Sequence, residues 1–209
     1  NKYANSDGSM TQQSIDYWVA RAKGGWGLLT EVARIVPLGK AISWVPSIRE
    51  DDELIANWKK LVDEVHKYGA KIALQLHHTG RRTRTEREFT TEETYEIIEK
   101  YGDLARKARD AGFDAVEPQG AHGYLIAQFM SAHNNNRLDD FGGGFMGRMR
   151  FPVEIIKNIR RKVGNAYPII FKMSGDEKVA GSRTIDESRV VAKVVADAGA
   201  DAIHVSTGT

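Results

Sequence analysis

The side chains best suited to chemistry fall in five short stretches, each at the end of an apolar run. They are Glu31; Gln75 with His77 and His78; Glu117 and Gln119 with His122 and Tyr124; Lys172 with Ser174; and His204 with Ser206. An imidazole or a phenol can hand a proton to a reacting centre. A carboxamide offers a donor and an acceptor side by side. A lysine closing an interior strand is costly to bury unless an anion or a polar ligand faces it, so Lys172 points to such a ligand. His77 and His78 are adjacent, and on a strand they face opposite ways. They cannot chelate one metal ion together. A metal-dependent barrel hydrolase using His78, Glu117, His122 and His204 is the alternative chemistry, although these residues lack an H-x-H strand spacing. Each residue also has a plainer role open to it, as a helix cap or a solvated loop residue.

The elements that must position these groups alternate regularly. Thr11 reads as the N-cap of a helix to Ala22, with Ile15, Trp18, Val19 and Ala22 at helical spacing. A strand over Trp26–Val32 follows, then a loop holding Pro37, Gly39 and Pro46. A helix is expected over 51–68 and a strand over Lys71–Leu76. After a basic run from Arg81 to Arg87, read as a solvated loop, Thr90 or Thr91 caps a helix to about Ala111. The spacing then predicts a strand over Asp114–Glu117, with pairing ending near Pro118, which has no N–H to donate. A short helix over Tyr124–Met130 leads to a polar, glycine-rich loop, 132–147. A helix over Arg148–Val163 would carry Pro152 in its first turn. The remaining elements are a strand over Pro168–Met173, a helix over Ile185–Ala198 capped by Thr184, and a strand over Ala202–Ser206. Five strands, four of them followed by helices, with no hairpin signal, mean a parallel α/β sheet. The 30–45-residue interval between strands favours a barrel over a doubly wound sheet. A complete barrel needs about 250 residues, so the 209 residues are expected to form an incomplete (β/α)8 barrel, read as one domain over 1–209. Gly142–Gly144 lacks the G-x-G-x-x-G spacing and follows no strand, which argues against a dinucleotide fold.

Composition narrows the partners. Lysine and arginine number 30 against 28 acidic residues, a formal charge of +2, which gives no reason to expect a nucleic-acid or membrane-surface partner. No apolar run approaches the roughly 20 residues that span a bilayer. The polar start, NKYANSDGSM, does not read as a signal peptide. Without cysteine there is no disulfide, thiolate metal site or thiol nucleophile. A cytoplasmic protein acting on a small molecule is the expectation, with a homo-oligomer left open.

Four stretches resemble the old yellow enzyme and 2,4-dienoyl-CoA reductase family of flavin-dependent ene-reductases. They are DG..T...I.YW..RA.GG.GL..E over 7–31; QLHHTGR over 75–81; AGFDAVEPQGAHGYLIAQFMSAHNNNRLDDFGGGFMGRMRF over 111–151; and FKMSGDE over 171–177 with AGADAIHVS over 198–206. The resemblance implies a TIM barrel with FMN at its carboxyl face and NADH or NADPH as reductant. The chain would hold strands two to six. The first strand, the last two and most of the phosphate site would be missing. An iron–sulfur cluster, which larger relatives carry after the barrel, would fall beyond this stretch. The 209 residues alone could be an inactive fragment of a larger flavoenzyme.

Carried over position by position, the resemblance implies that Gln75 hydrogen-bonds the flavin pyrimidine edge. Lys172 stands where the family usually has arginine, beside flavin N1 and O2. Val32 falls where the backbone approaches the flavin. A pair three residues apart grips the substrate carbonyl, and here the pair is Gln119 and His122. Tyr124 matches the tyrosine that donates a proton to substrate. Gln119 departs from the usual histidine: it can donate but cannot titrate. The residues of the 135–150 loop imply ion pairs and turns, and the segment between Arg81 and Thr90 is shorter than family members show.

Overall fold

A computed structural model describes residues 10–35, 52–81 and 88–208, together with the backbone but not the side chains of Arg34 and residues 52–54. The expected loop around Pro37, Gly39 and Pro46, most of the basic run, and the first residues of the 7–31 stretch lie outside the described residues. Contacts divide the chain into two compact units. One is Asn1–His77 with Leu104–Val116; the other is His78–Asp103 with Glu117–Thr209.

The first unit begins with α1 (Gln12–Lys23), whose N-cap Thr11 accepts a hydrogen bond from the Ser14 N–H. Strand β1 (Leu28–Arg34), helix α2 (Asp52–His66) and strand β2 (Lys71–His77) follow. β1 and β2 pair in parallel, with Val32 opposite Gln75. Every residue of β2 after Lys71 is buried, the pattern of a parallel strand covered on both faces. Helix α2 supplies Trp58, Leu61, Val62 and Val65 to the core, and Trp58 meets Phe113 edge to face at 5.9 Å.

Helix α3 (Thr91–Asp110) and strand β3 (Ala115–Gly120) contribute residues to both units. Thr90 and Glu93 form a reciprocal cap: the Thr90 hydroxyl accepts from the Glu93 N–H, and the Glu93 carboxylate accepts from the Thr90 N–H. The second unit continues with α4 (Leu125–Met130), α5 (Phe145–Val163), β4 (Ile170–Ser174), α6 (Ile185–Asp197) and β5 (Ala202–Ser206). β3 pairs with β4 and β4 with β5, all parallel. The core of this unit includes Phe129, Phe141 and Phe151, with Phe129 and Phe151 stacked at 3.9 Å.

Three expectations change. β3 runs past Pro118 to Gly120, and its ladder with β4 is carried by Gln119 and Gly120. That ladder asks no N–H of the proline. α5 starts at Phe145, so Pro152 lies in the helix interior, where it can donate no hydrogen bond back to Arg148. Thr184 holds the N-cap position of α6, but its side chain makes no capping bond.

The sequence Ala-Gly-x-Asp-Ala occurs twice, at 111–115 and 198–202, each time leading into a strand. The Asp114 N–H donates to the Ile72 carbonyl at 2.9 Å while its carboxylate accepts from the Ile72 N–H at 2.8 Å. Asp201 does the same with Ile169, at 2.9 and 2.8 Å. Both clamps close at the amino end of a strand. Asp114 also binds Lys71 and His66, and Asp201 binds Arg160. Burial alone would raise the Asp114 pKa; its hydrogen bonds from Lys71, His66 and Ile72 outweigh that and leave it lowered.

Candidate active site

The carboxyl ends of the strands carry the polar groups. In the second unit Gln119, Lys172 and His204 stand opposite one another on β3, β4 and β5. Gln119 is buried, and its Oε1 accepts from the Ala121 N–H at 3.1 Å, which tightens the turn out of β3. Lys172 is half-buried, and its ammonium makes no hydrogen bond or ion pair with another described residue. Two residues before Gln119, the buried Glu117 carboxylate meets His204 Nδ1 at 2.8 Å.

His122 lies just beyond β3 with a φ of +58°. Its N–H donates to the Ser174 hydroxyl at 3.1 Å, and its Nε2 sits 2.6 Å from the Ser206 hydroxyl. Burial, then the positive charges of Lys172 and His204, hold its pKa below the ordinary histidine value. Tyr124 occupies the N-cap position of α4, and its ring centroid is 6.4 Å from that of His122. Gln128 braces this turn: its amide donates to the carbonyls of Gly123, Thr79 and Arg81. A cleft of 290 Å³ opens beside Gly123, lined by Arg81, Gln128, His133, Asn134 and Glu177 among others. Thus Gln119, His122, Tyr124 and Lys172 belong to one unit.

Val32 and Gln75 belong to the other, as register neighbours at the carboxyl ends of β1 and β2. Gln75 is buried. The Val32 N–H is already donated to the Glu31 carboxylate at 2.8 Å, and the other oxygen of that carboxylate takes the Trp18 indole N–H.

The loop between α4 and α5 contains the expected ion pairs and turns. Arg137 pairs with Asp139 and Arg150 with Asp140, and the Asn135 amide donates to the carbonyls of Phe129 and Phe141. The hydrogen bond from Arg137 holds Asp139 at a pKa of about 2. The metal-hydrolase alternative finds no support. Glu117 and His204 are paired with each other, His122 with Ser206, and His78 Nδ1 accepts from the Gly80 N–H. Among the described residues no three metal-ligating side chains come together.

The NADH:flavin oxidoreductase / NADH oxidase family model matches residues 2–88 and 82–209, nearly the whole sequence. The chain belongs to that family. The two matches meet at 82–88, the segment expected to be shortened. An NADH oxidase from Thermoanaerobacter brockii is 45% identical over 229 residues, an alignment longer than this chain, and covers 98% of it. The chain spans 35% of that relative's length. A solved 2-naphthoyl-CoA reductase in complex with 2-naphthoyl-CoA superposes on the whole chain with a TM-score of 0.92 at 26% identity, using 37% of its own length. An old yellow enzyme homologue from Zymomonas mobilis matches the whole chain with a TM-score of 0.85 at 23% identity, over 67% of its length, and shows the fold. The fold is therefore α/β and covers part of a TIM barrel, as the strand spacing led us to expect.

Sequence reasoning assigned no role to Ser174, Ser206 or Gln128. The two serines were visible as polar strand ends, but only the β4–β5 register, which sets Ser174 opposite Ser206, shows that both serve His122. For Gln128 no sequence signal distinguishes a brace from an ordinary helix residue.

Proposed function

We propose that the protein is an FMN-dependent oxidoreductase of the ene-reductase type, using NADH or NADPH to reduce an alkene conjugated to a carbonyl. The observation that carries this reading is the Lys172 ammonium, without a described partner and set in register with Gln119 below the turn that presents His122 and Tyr124. A cation so placed suits the anionic edge of a reduced ring system. In the other unit Gln75, with both hydrogen-bonding senses in one amide, suits the pyrimidine edge of a flavin. FMN held there would supply the two-electron hydride chemistry between the nicotinamide and the alkene.

The chain's own residues do the rest. Gln119 and His122 donate hydrogen bonds to the carbonyl oxygen, where negative charge develops. Positioned donors of this kind are each worth about 3–4 kcal/mol. Burial, above all, lowers the His122 pKa and so favours the neutral ring, which donates through its N–H. Tyr124 protonates the α-carbon, completing addition across the double bond. The cleft beside Gly123 has polar walls and takes the remote part of the substrate. The Val32 N–H is already committed to Glu31, so a flavin contact at Val32 would be made by other atoms.

The test is a comparison of half-reactions in the full-length, FMN-loaded protein. Tyr124→Phe should slow alkene reduction by about 10²–10⁴-fold while flavin reduction by nicotinamide stays normal. Equal slowing of both would remove Tyr124 from the proton-donor role. A purified protein without a flavin absorption spectrum, and unable to take up FMN, would overturn the whole reading.

A further inference from the structure

His122 needs two kinds of support. A non-glycine residue at a φ of +58° is strained, so its turn must be held by other contacts. Its ring, being neutral, has one N–H and one bare nitrogen, and only the N–H can stabilise a developing oxyanion. Ser174 and Ser206, opposite each other on β4 and β5, divide these tasks. The Ser174 hydroxyl donates its proton to the Gly208 carbonyl at 2.7 Å, so towards His122 it acts as acceptor and fixes the backbone N–H. Ser206 Oγ, among the described residues, hydrogen-bonds His122 Nε2 alone.

We propose that Ser206 sets the tautomer of His122: its hydroxyl donates to Nε2, which leaves the ring proton on Nδ1 as the N–H offered to the substrate. The alternative tautomer would place a proton on Nε2 and leave the hydroxyl proton of Ser206 without an acceptor among the described residues. It would also turn the lone pair of Nδ1 towards an oxygen gaining negative charge, which is repulsive. One serine accepts, the other donates, and together they fix where the residue stands and which nitrogen it presents. Ser206 is a positioning residue, since it acts through His122. The substrate contact rests on the alkene-reduction reading above; the tautomer does not.

The test uses the full-length, FMN-loaded protein carrying 15N-histidine, studied by magic-angle-spinning NMR. The His122 signals are assigned by their disappearance in His122→Gln. Wild type should show a protonated Nδ1 and a bare, hydrogen-bonded Nε2. Ser206→Ala should move proton density to Nε2, and Ser206→Thr, which keeps the hydroxyl, should restore the wild-type pattern. In the same variants, Ser206→Ala should slow reoxidation of the enzyme by a conjugated enone about tenfold, part of the 10²–10³-fold that loss of a whole donor brings, with reduction by nicotinamide unchanged. A protonated Nε2 in wild type, or an unaltered tautomer in Ser206→Ala, overturns the proposal. If Ser206→Ala fails to fold, the wild-type and Ser206→Thr spectra still decide. If the tautomer is as expected but wild type reduces no enone, the alkene-reduction reading falls and the role of Ser206 stands.

Discussion

Lys172 concentrates the electrostatics of the site. Its ammonium has no described anionic partner, so its charge is available to a ligand, and it already disfavours a second proton on His122. Removing it should make bound flavin harder to reduce. Lys172→Gln is expected to lower the flavin's two-electron potential by tens of millivolts, where ~30 mV corresponds to about 1.4 kcal/mol. Lys172→Arg should preserve the potential because it keeps the charge. Potentiometric titration of the full-length protein checks both. At this scale the sequence exposed the candidate side chains but not what holds them. A lysine or a histidine at a strand end is visible as a type, and its chemistry follows from that type. The serines behind His122 are ordinary residues until the pairing of β4 with β5 sets one opposite the other.

Strand ends were harder to read than strand existence. The first four strands run beyond the expected boundary by one to three residues, to Arg34, His77, Gly120 and Ser174. The reason is physical. Apolar runs mark where a strand is buried, but the backbone ladder continues wherever its N–H and C=O groups find partners. Most residues beyond the apolar runs, such as Arg34, His77, Gln119 and Ser174, are polar, so hydropathy alone ends these strands too early. Pro118 misled in the same direction. Gly120 shows how tightly these ends are packed: a Cβ there would lie 2.7 Å from the Lys172 carbonyl oxygen and 2.7 Å from the Phe171 ring. Gly120→Ala must therefore push β3 and β4 apart. It should cost about 1–3 kcal/mol, the usual range for overpacking, and weaken flavin binding by displacing Lys172. Thermal melting and FMN titration measure the two effects. A variant with normal melting and normal affinity would show that the strands yield without cost.

The aspartate clamps lie at the amino ends of strands and the residues proposed for the chemistry at the carboxyl ends, the arrangement expected of such barrels. The alternation of elements carried the fold class, and the motifs carried the family. Grouping into two compact units depends on contacts distant in sequence, and no linker announces it. The clamps of Asp114 and Asp201 test the separation of duties. Asp201→Ala removes a part-buried tie to the Ile169 backbone and the ion pair with Arg160. It should destabilise the protein by about 1–3 kcal/mol while kcat at a permissive temperature stays unchanged. A loss of kcat without a loss of stability would show that the two rims are coupled.

The twin aspartates also bear on how such a chain can diverge. Each grips main-chain atoms of the neighbouring strand, which every residue possesses, so the alignment of the staves asks little of the side chains displayed above. A strand-end residue such as Gln119 can then be exchanged without unsettling the frame beneath it. Lineages built this way are free to explore new substrates one rim residue at a time.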